Sequence, residues 1–320
     1  MANCHDLFSA FHDAIALSPS DRERLRKARD ALRTRITAAF REAGRTPVPE
    51  FRQQGSYAMG TIVRPIEGEF DLDDGVYLQH LDNTDDRNWP TPETVHGWVV
   101  DAVKGHTKDK PIDKRTCIRV TYAGDYHVDL PIYAVLSGEL RHAEKGQRGW
   151  HASDPEALTK WFVDAVGTHG EQLRRMVRYF KAWADYSSRR GKLPGGLVFT
   201  VLVNESFSAH ERDDVCFGRL ATALYAQMLV SPQVLNPCDP SEDLCDQYDE
   251  AQHCHFVESL RCLSDASAEA LSAKSKMDAC CKWREEFGER WTDCDTLARE
   301  DSAKYTTAPA ILRDDARSAE

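Results

Sequence analysis

The apolar positions change period along the chain. Residues 5–17 fit a short amphipathic helix. Ser18-Pro19-Ser20-Asp21 resets the backbone, with Ser18 or Ser20 as N-cap and acidic Asp21 and Glu23 suited to a first turn. A long helix to about residue 43 follows. Its stripe is Leu25, Ala28, Leu32, Ile36 (or Ala39) and Phe40, and Gly44 suits its stop. From residue 70 the period becomes two. Side chains i and i+2 of a strand share a face. Phe70 and Leu72 therefore point inward, while Asp71 and Asp73 project together on the other side. Residues 81–92 read as a polar loop, and Pro92-Glu93 opens a helix with Val95, Trp98, Val99, Ala102 and Val103 on one face. Runs 115–122 and 126–133 alternate again, and Ala123-Gly124-Asp125 would join them as a hairpin that completes the sheet. Val128 and Leu130 take one face, His127 and Asp129 the other.

Residues 137–150 are polar and contain Gly146 and Gly149, which predicts a boundary there between two units. Helical spacing then dominates. Ser153-Asp154-Pro155-Glu156 starts a helix with Leu158, Trp161, Phe162 and Ala165 inward. A second, over 172–186, turns Leu173, Met176, Val177, Phe180 and Trp183 inward. The stretch 193–196 breaks the pattern. The apolar run 197–203 reads as a strand or a buried helix, since periodicity cannot separate the two. Helices are predicted over 213–230, 248–275 and 277–290, and the last residues form a polar tail.

Composition sets the class. The 320 residues carry a formal charge of −11, from 41 basic and 52 acidic side chains. This argues against general nucleic-acid binding, which favours a basic surface. No apolar run approaches the roughly 18 residues that span a bilayer, and the N-terminus lacks the basic-then-apolar pattern of a signal peptide. A cytoplasmic protein without membrane contact is expected, with its ten cysteines as thiols.

The chemistry concentrates in residues 54–78. Gly55-Ser56 forms a turn that lets a phosphate approach without an intervening Cβ, and a helix starting there would add positive potential. Asp71 and Asp73 repel each other unless a cation lies between them. Hard divalent ions prefer such oxygen ligands, with substrate phosphates completing the shell. A third carboxylate is needed to hold two metals about 4 Å apart, and Asp129 is the candidate.

These residues resemble the DNA polymerase beta-type nucleotidyltransferases. The closer resemblance is to the bacterial cGAS/DncV-like nucleotidyltransferases, which make cyclic oligonucleotide signals in anti-phage defence. It is carried by Gly55-Ser56-Tyr57 with Gly60-Thr61 and Arg64-Pro65, by 70–77, and by His127-Val128-Asp129. The resemblance implies an α+β fold of two lobes. One is a nucleotidyltransferase core over 1–150, with a mixed sheet and the long N-terminal helix as a spine. The other is a helical lobe over 151–295, with the active site in the cleft between them. A polar tail over 296–320 fits either simple disorder or contact with a regulator.

The resemblance also implies site residues. Asp71, Asp73 and Asp129 would hold two Mg²⁺ (or Mn²⁺) ions and act as the catalytic carboxylates. Gly55 and Ser56 would hold the β- and γ-phosphates, with Gln54 and Arg64 bracing the loop. Lys181 resembles the lysine that reaches the triphosphate from the helical lobe, and Arg178, one turn earlier, is its substitute. The family's phosphate-binding serine and stacking aromatic have no counterpart in Pro194-Gly195-Gly196-Leu197, and Thr200 stands in. His127 reads equally as a partner of the third carboxylate and as a packed histidine. The arginines of the long helix read as a solvated face or as a contact surface. Late Cys238, Cys245, Cys254, Cys262, Cys280, Cys281 and Cys294, with His253 and His255, lack zinc spacing, so structural thiols are expected.

The implied function is the joining of NTPs into a cyclic di- or trinucleotide with release of pyrophosphate. A separate effector would bind the product, and an ancillary regulator would fit the same scheme. Two other readings stay open. The same fold can make linear oligonucleotides or modify RNA, protein or a small molecule. An inactive nucleotide-binding module is the third.

Overall fold

The computed structural model describes residues 2–67, 69–123, 126–292 and 294. The predicted tail over 296–320, and two residues of the 123–125 turn, lie outside them.

Two helices open the chain, α1 (His5–Ile15) and α2 (Pro19–Glu42). Ser18 is the N-cap of α2: its hydroxyl accepts from Asp21 N at 3.1 Å while the Asp21 carboxylate accepts from Ser18 N at 3.3 Å. This reciprocal pair is worth about 1 kcal/mol and decides between the two serines. Next come β1 (Glu50–Gln54), the single turn α3 (Gly55–Ala58), β2 (Phe70–Leu78) and α4 (Pro92–Val103). Six strands follow: β3 (Ile112–Asp113), β4 (Ile118–Tyr122), β5 (Tyr126–Leu130), β6 (Ile132–Leu136), β7 (Glu139–Glu144) and β8 (Gly149–Ala152).

The sheet is mixed. β1 lies antiparallel to β2, and β2 runs parallel to both β5 and β6. Phe70 pairs with Tyr126 and Val76 with Ile132, so β5 and β6 keep one register on either side of Pro131. β4 extends the sheet from β5, and β7 and β8 extend it from β6. The stretch 137–150 is thus a hairpin of the sheet, not a linker, and 115–135 does not complete the sheet. Its polarity reflects the outer end of the sheet: Glu139 is exposed and Arg141 half-buried, while His142, Ala143 and Glu144 are buried. The long helix backs the sheet. Leu25, Leu32, Ile36 and Phe40 pack with Phe70, Leu72, Val76 and Val128, all nearly or fully buried.

The rest is helical: α5 (Pro155–His169), α6 (Glu171–Ser187), α7 (Gly196–Ser206) and α8 (Asp213–Val230), then α9 (Glu250–Ser272) and α10 (Lys276–Phe287). A two-stranded ribbon, β9 (Leu235–Asn236) with β10 (Asp239–Asp243), lies between α8 and α9. The run 197–203 is helix, and its lack of periodicity reflects burial on nearly every side, Val198 through Val203 all being enclosed. α1 joins this helical core. Phe8 meets Tyr179, Trp283 and Trp291 with ring centroids 5.0–5.1 Å apart, and the Tyr179 hydroxyl donates to Phe8 O at 2.9 Å.

The arginines of α2 divide between structure and solvent. Arg33 donates twice to the fully buried Asp74, at 2.8 and 2.5 Å. Arg35 donates to Ala102 O and Lys104 O at the end of α4. Arg26 pairs with Glu23 and Asp30 on the surface. No helix among the described residues is long and apolar enough to cross a membrane.

Candidate active site

β1 and β2 set the first wall. Gln54 pairs with Asp73 across the antiparallel ladder, and the chain then turns at Gly55, whose φ is +64°. A Cβ on Gly55 would collide with the Asp73 carboxylate. Positive φ and close approach both require glycine here. Thr61 N donates to Ser56 O at 2.8 Å and closes the following turn.

The parallel ladder sets the acids. Asp71 pairs with His127 and Asp73 with Asp129, while Asp129 pairs in turn with Arg119 of β4. Asp73, Asp129 and Arg119 therefore form one row across three strands. Arg119 donates to both oxygens of Asp129, at 2.8 and 2.7 Å, and its Nη2 lies 3.7 Å from Asp71. In the adjacent row His127 contacts Asp71 through Nε2, and Nδ1 lies 2.9 Å from Glu69 Oε2. His127 is thus a partner of the acids.

The electrostatics separate the three aspartates. Burial, then the neighbouring Asp129 and Asp71, push the Asp73 carboxyl up to about 7. At Asp71 burial opposes ionisation, but the bond with His127 prevails and holds the carboxyl below its usual range. At His127 burial is likewise outweighed, by Asp71 and Glu69, and its pKa rises. The carboxylates do not close on one point. Asp71 turns to His127 and Asp129 to Arg119. Among the described residues, the one group of three His, Cys, Asp or Glu ligand atoms mutually within 4.8 Å lies elsewhere. The donor set still fits a divalent cation. It consists of hard oxygens, and Asp73 is a buried acid whose ionisation an added positive charge would favour.

The second wall is helical. A cleft of about 660 Å³ is lined by Gly55, Ser56, Asp71 and Asp73 on the sheet side and by Lys181, Leu197 and Thr200 on the other. Lys181 Nζ donates to the buried Thr61 hydroxyl at 2.8 Å. Burial, then Arg178, push its pKa down to about 7, against the pull of Asp73. Gly196 makes room for it: a Cβ there would stand 2.9 Å from Lys181 Cε. Thr200 lines the cleft, but its hydroxyl donates to Gly196 O at 2.8 Å within its own helix. Gln54 is buried, lines the cleft and donates to the Tyr133 hydroxyl at 3.1 Å.

Arg178 does not line the cleft. It donates to Gly60 O and to His12 Nε2. It belongs to a clamp on segment 59–66. Arg174 donates to Met59 O at 3.0 Å, Asp185 accepts from Ile66 N at 3.0 Å, and Arg290 donates to Arg64 O at 2.7 Å. Arg64 itself pairs with Asp21.

Arg119 and Glu69 were not singled out by sequence reasoning, and Thr61 entered only with Gly60 as part of the resemblance, without a site role. Arg119 was within reach, because a tight hairpin about residues 123–125 places it opposite Asp129. Glu69 carries no comparable local signal. Of the late cysteines, Cys280 and Cys294 sulfurs lie 3.3 Å apart, and none joins a three-ligand group among the described residues.

Two family models match the chain. One is "Cyclic GMP-AMP synthase DncV-like, nucleotidyltransferase domain", over residues 49–133, and the other "Cyclic GMP-AMP synthase, C-terminal domain", over 170–300. The first spans the Gly55 turn and all three aspartates, the second spans Lys181. A cyclic GMP-AMP synthase of Escherichia albertii is 27% identical over 260 residues, covering 75% of this chain and 57% of that protein. The cyclic GMP-AMP synthase of Vibrio cholerae is 23% identical over 309 residues, covering 78% and 69%. The chain thus spans little more than half the length of the first of these relatives. In fold it is similar to the crystal structure of Vibrio cholerae DncV cyclic AMP-GMP synthase, with a TM-score of 0.78 and 21% identity over 92% of this chain and 99% of that one. The same synthase in complex with the linear intermediate 5′ pppA(3′,5′)pG superposes with a TM-score of 0.75 at 21% identity, over 92% and 97%. With both family models in chain order over most of the cleft, the chain belongs to the bacterial cGAS/DncV-like nucleotidyltransferases.

Proposed function

We propose that the chain joins nucleoside triphosphates into a cyclic di- or trinucleotide, releasing pyrophosphate, as the signal of an anti-phage defence system. A separate effector would read the product. The observation that carries this is the register: Asp73 beside Asp129, with Gly55 directly across and Lys181 on the opposite wall. The similar proteins of Escherichia albertii and Vibrio cholerae, both cyclic GMP-AMP synthases, support a cyclic dinucleotide over a longer ring.

Asp71, Asp73 and Asp129 are the proposed catalytic and metal-binding residues, with Mg²⁺ or Mn²⁺ as two ions. When bound, such ions neutralise the triphosphate and lower the pKa of an attacking ribose hydroxyl. The chain supplies the geometry. Gly55 and Ser56 receive the β- and γ-phosphates with no Cβ in the way. Lys181, a cation below about pH 7 in the free protein, meets the triphosphate from the helical wall. Asp129, released from Arg119, accepts the proton of the ribose hydroxyl, and Arg119 keeps Asp71, 3.7 Å from its Nη2, as a second acidic neighbour. The segment from α2 to β8 acts as one lobe and α5 to α10, with α1 packed among them in place of the expected core position, as the other, held about the cleft by the clamp on 59–66.

The test is incubation of the purified chain with all four NTPs and Mg²⁺ or Mn²⁺, with mass spectrometry after phosphatase treatment. A phosphatase-resistant oligonucleotide, absent from an Asp71→Ala/Asp73→Ala protein, is expected. Linear products alone would overturn cyclisation and leave nucleotidyl transfer. Products unaffected by the double substitution would overturn the site.

A further inference from the structure

The sheet's outer hairpin carries a second cluster that the proposed reaction does not use. His142 and His151 are directly paired across β7 and β8, and Glu144 lies two residues on from His142, so all three share one face. One ligand atom from each falls mutually within 4.8 Å. The cluster is enclosed, with His142 7% and Glu144 2% exposed.

The surrounding bonds prepare these residues as ligands. His142 Nε2 lies 2.8 Å from Thr116 O. A carbonyl can only accept, so Nε2 carries the hydrogen and the lone pair sits on Nδ1. A backbone carbonyl on the far ring nitrogen is the usual way a metal-binding histidine is oriented. Glu144 Oε1 is buried without a hydrogen-bond partner among the described residues, although Arg115 Nη1 stands 3.0 Å away as an ion pair. Its other oxygen lies 3.7 Å from His151 Nε2 and 3.7 Å from Arg148 Nη1. Glu144 is thus a buried carboxylate that faces two imidazoles with one oxygen short of hydrogen bonds, a donor set that a divalent cation can use.

We infer that His142, Glu144 and His151 form a binding site for a borderline divalent metal, Zn²⁺ in first place, separate from the three aspartates. Two imidazoles and one carboxylate suit Zn²⁺, Co²⁺ or Ni²⁺ rather than Mg²⁺, which prefers an all-oxygen shell. The site would pin β8 to β7 just before Asp154, the N-cap of α5, whose Leu158 lines the cleft. Its role is therefore to fix the sheet edge from which the helical wall departs. It draws on none of the late cysteines.

The experiment is titration of the full chain with Co²⁺ and Zn²⁺ in an Asp71→Asn/Asp73→Asn background, which removes the other divalent site. Visible spectra and metal content after gel filtration are recorded. Expected are one equivalent of retained Zn²⁺, Co²⁺ ligand-field bands without a thiolate charge-transfer band, and a higher melting temperature with metal. His151→Ala, at a half-buried position, should weaken binding by about 100-fold or more. Glu144→Gln, of nearly the same shape, should weaken it without unfolding the hairpin. Retention unchanged in His151→Ala, no retained metal, or a thiolate band showing that cysteines hold the Co²⁺ would each overturn the inference.

Discussion

The two walls of the cleft are built by different physics. On the sheet wall, Asp71, Asp73, His127, Asp129 and Arg119 take their places from backbone ladders, and the registers of two ladders, β2 with β5 and β5 with β4, fix all of them. On the helical wall, Lys181, Gly196 and Thr200 come from two helices, and Arg174, Arg178 and Arg290 reach across to backbone carbonyls of segment 59–66. The sheet wall is specified locally and stores electrostatic cost. The helical wall is specified by tertiary packing.

The largest effect should come from breaking the sheet wall. Asp73→Asn should lower activity by about 10³-fold or more, as expected for loss of an interaction made in the transition state. The same change should stabilise the fold. The Asp73 carboxyl titrates near 7 in the folded protein against 3.8 as its ordinary value. The unfolded chain therefore releases this proton first, and ionisation costs stability progressively between about pH 4 and 7, fully above 7. Asn removes that cost. Melting curves should show a larger gain for the variant at pH 8 than at pH 4.5. A variant less stable than wild type at pH 8 would refute the electrostatic reading of this wall.

Next comes the turn. Gly55→Ala places a methyl group against Asp73 at a backbone φ of +64°. A stability loss of about 1–3 kcal/mol is expected, with activity reduced by about 100-fold through displacement of the carboxylate. Denaturant unfolding and initial rates check both; wild-type rates would show that the contact is slack.

A smaller effect is expected across the cleft. Lys181 changes charge near pH 7 in the free protein. Triphosphate affinity should fall as pH rises through that value, and Lys181→Ala should flatten this dependence while weakening binding at pH 6 by about 10–100-fold, the worth of one charged hydrogen bond. Calorimetric binding of a non-hydrolysable NTP across pH 6–8.5 decides it. An unchanged slope in the variant would remove Lys181 from the site.

The same contrast explains what the sequence disclosed. Alternation from Phe70 to Asp73 and from His127 to Leu130 is a backbone property, so the acids were legible without a structure. The hairpin over 137–150 was not, because β7, with exposed Glu139 and half-buried Arg141, has the composition of a loop although it is paired on both sides. Arg178 looked equivalent to Lys181 from helical spacing. A single turn along α6 separates the cleft from the Gly60 clamp, and only the packing of α1, which brings in His12, tells the two apart. Thr200 lines the cleft, but its hydroxyl bonds back to Gly196, a competition that sequence does not reveal. His127 was ambiguous until Glu69 and Asp71 supplied its partners.

The central claim is that this register makes a two-ion triphosphate site. The most direct measurement counts bound Mn²⁺ by electron paramagnetic resonance in the presence of a non-hydrolysable NTP, for wild type, Asp73→Asn and Asp129→Asn, all carrying His151→Ala to silence the hairpin cluster. The account predicts two bound ions per chain in the parent, fewer than one in Asp73→Asn, and one in Asp129→Asn. Equal counts in all three proteins would contradict it.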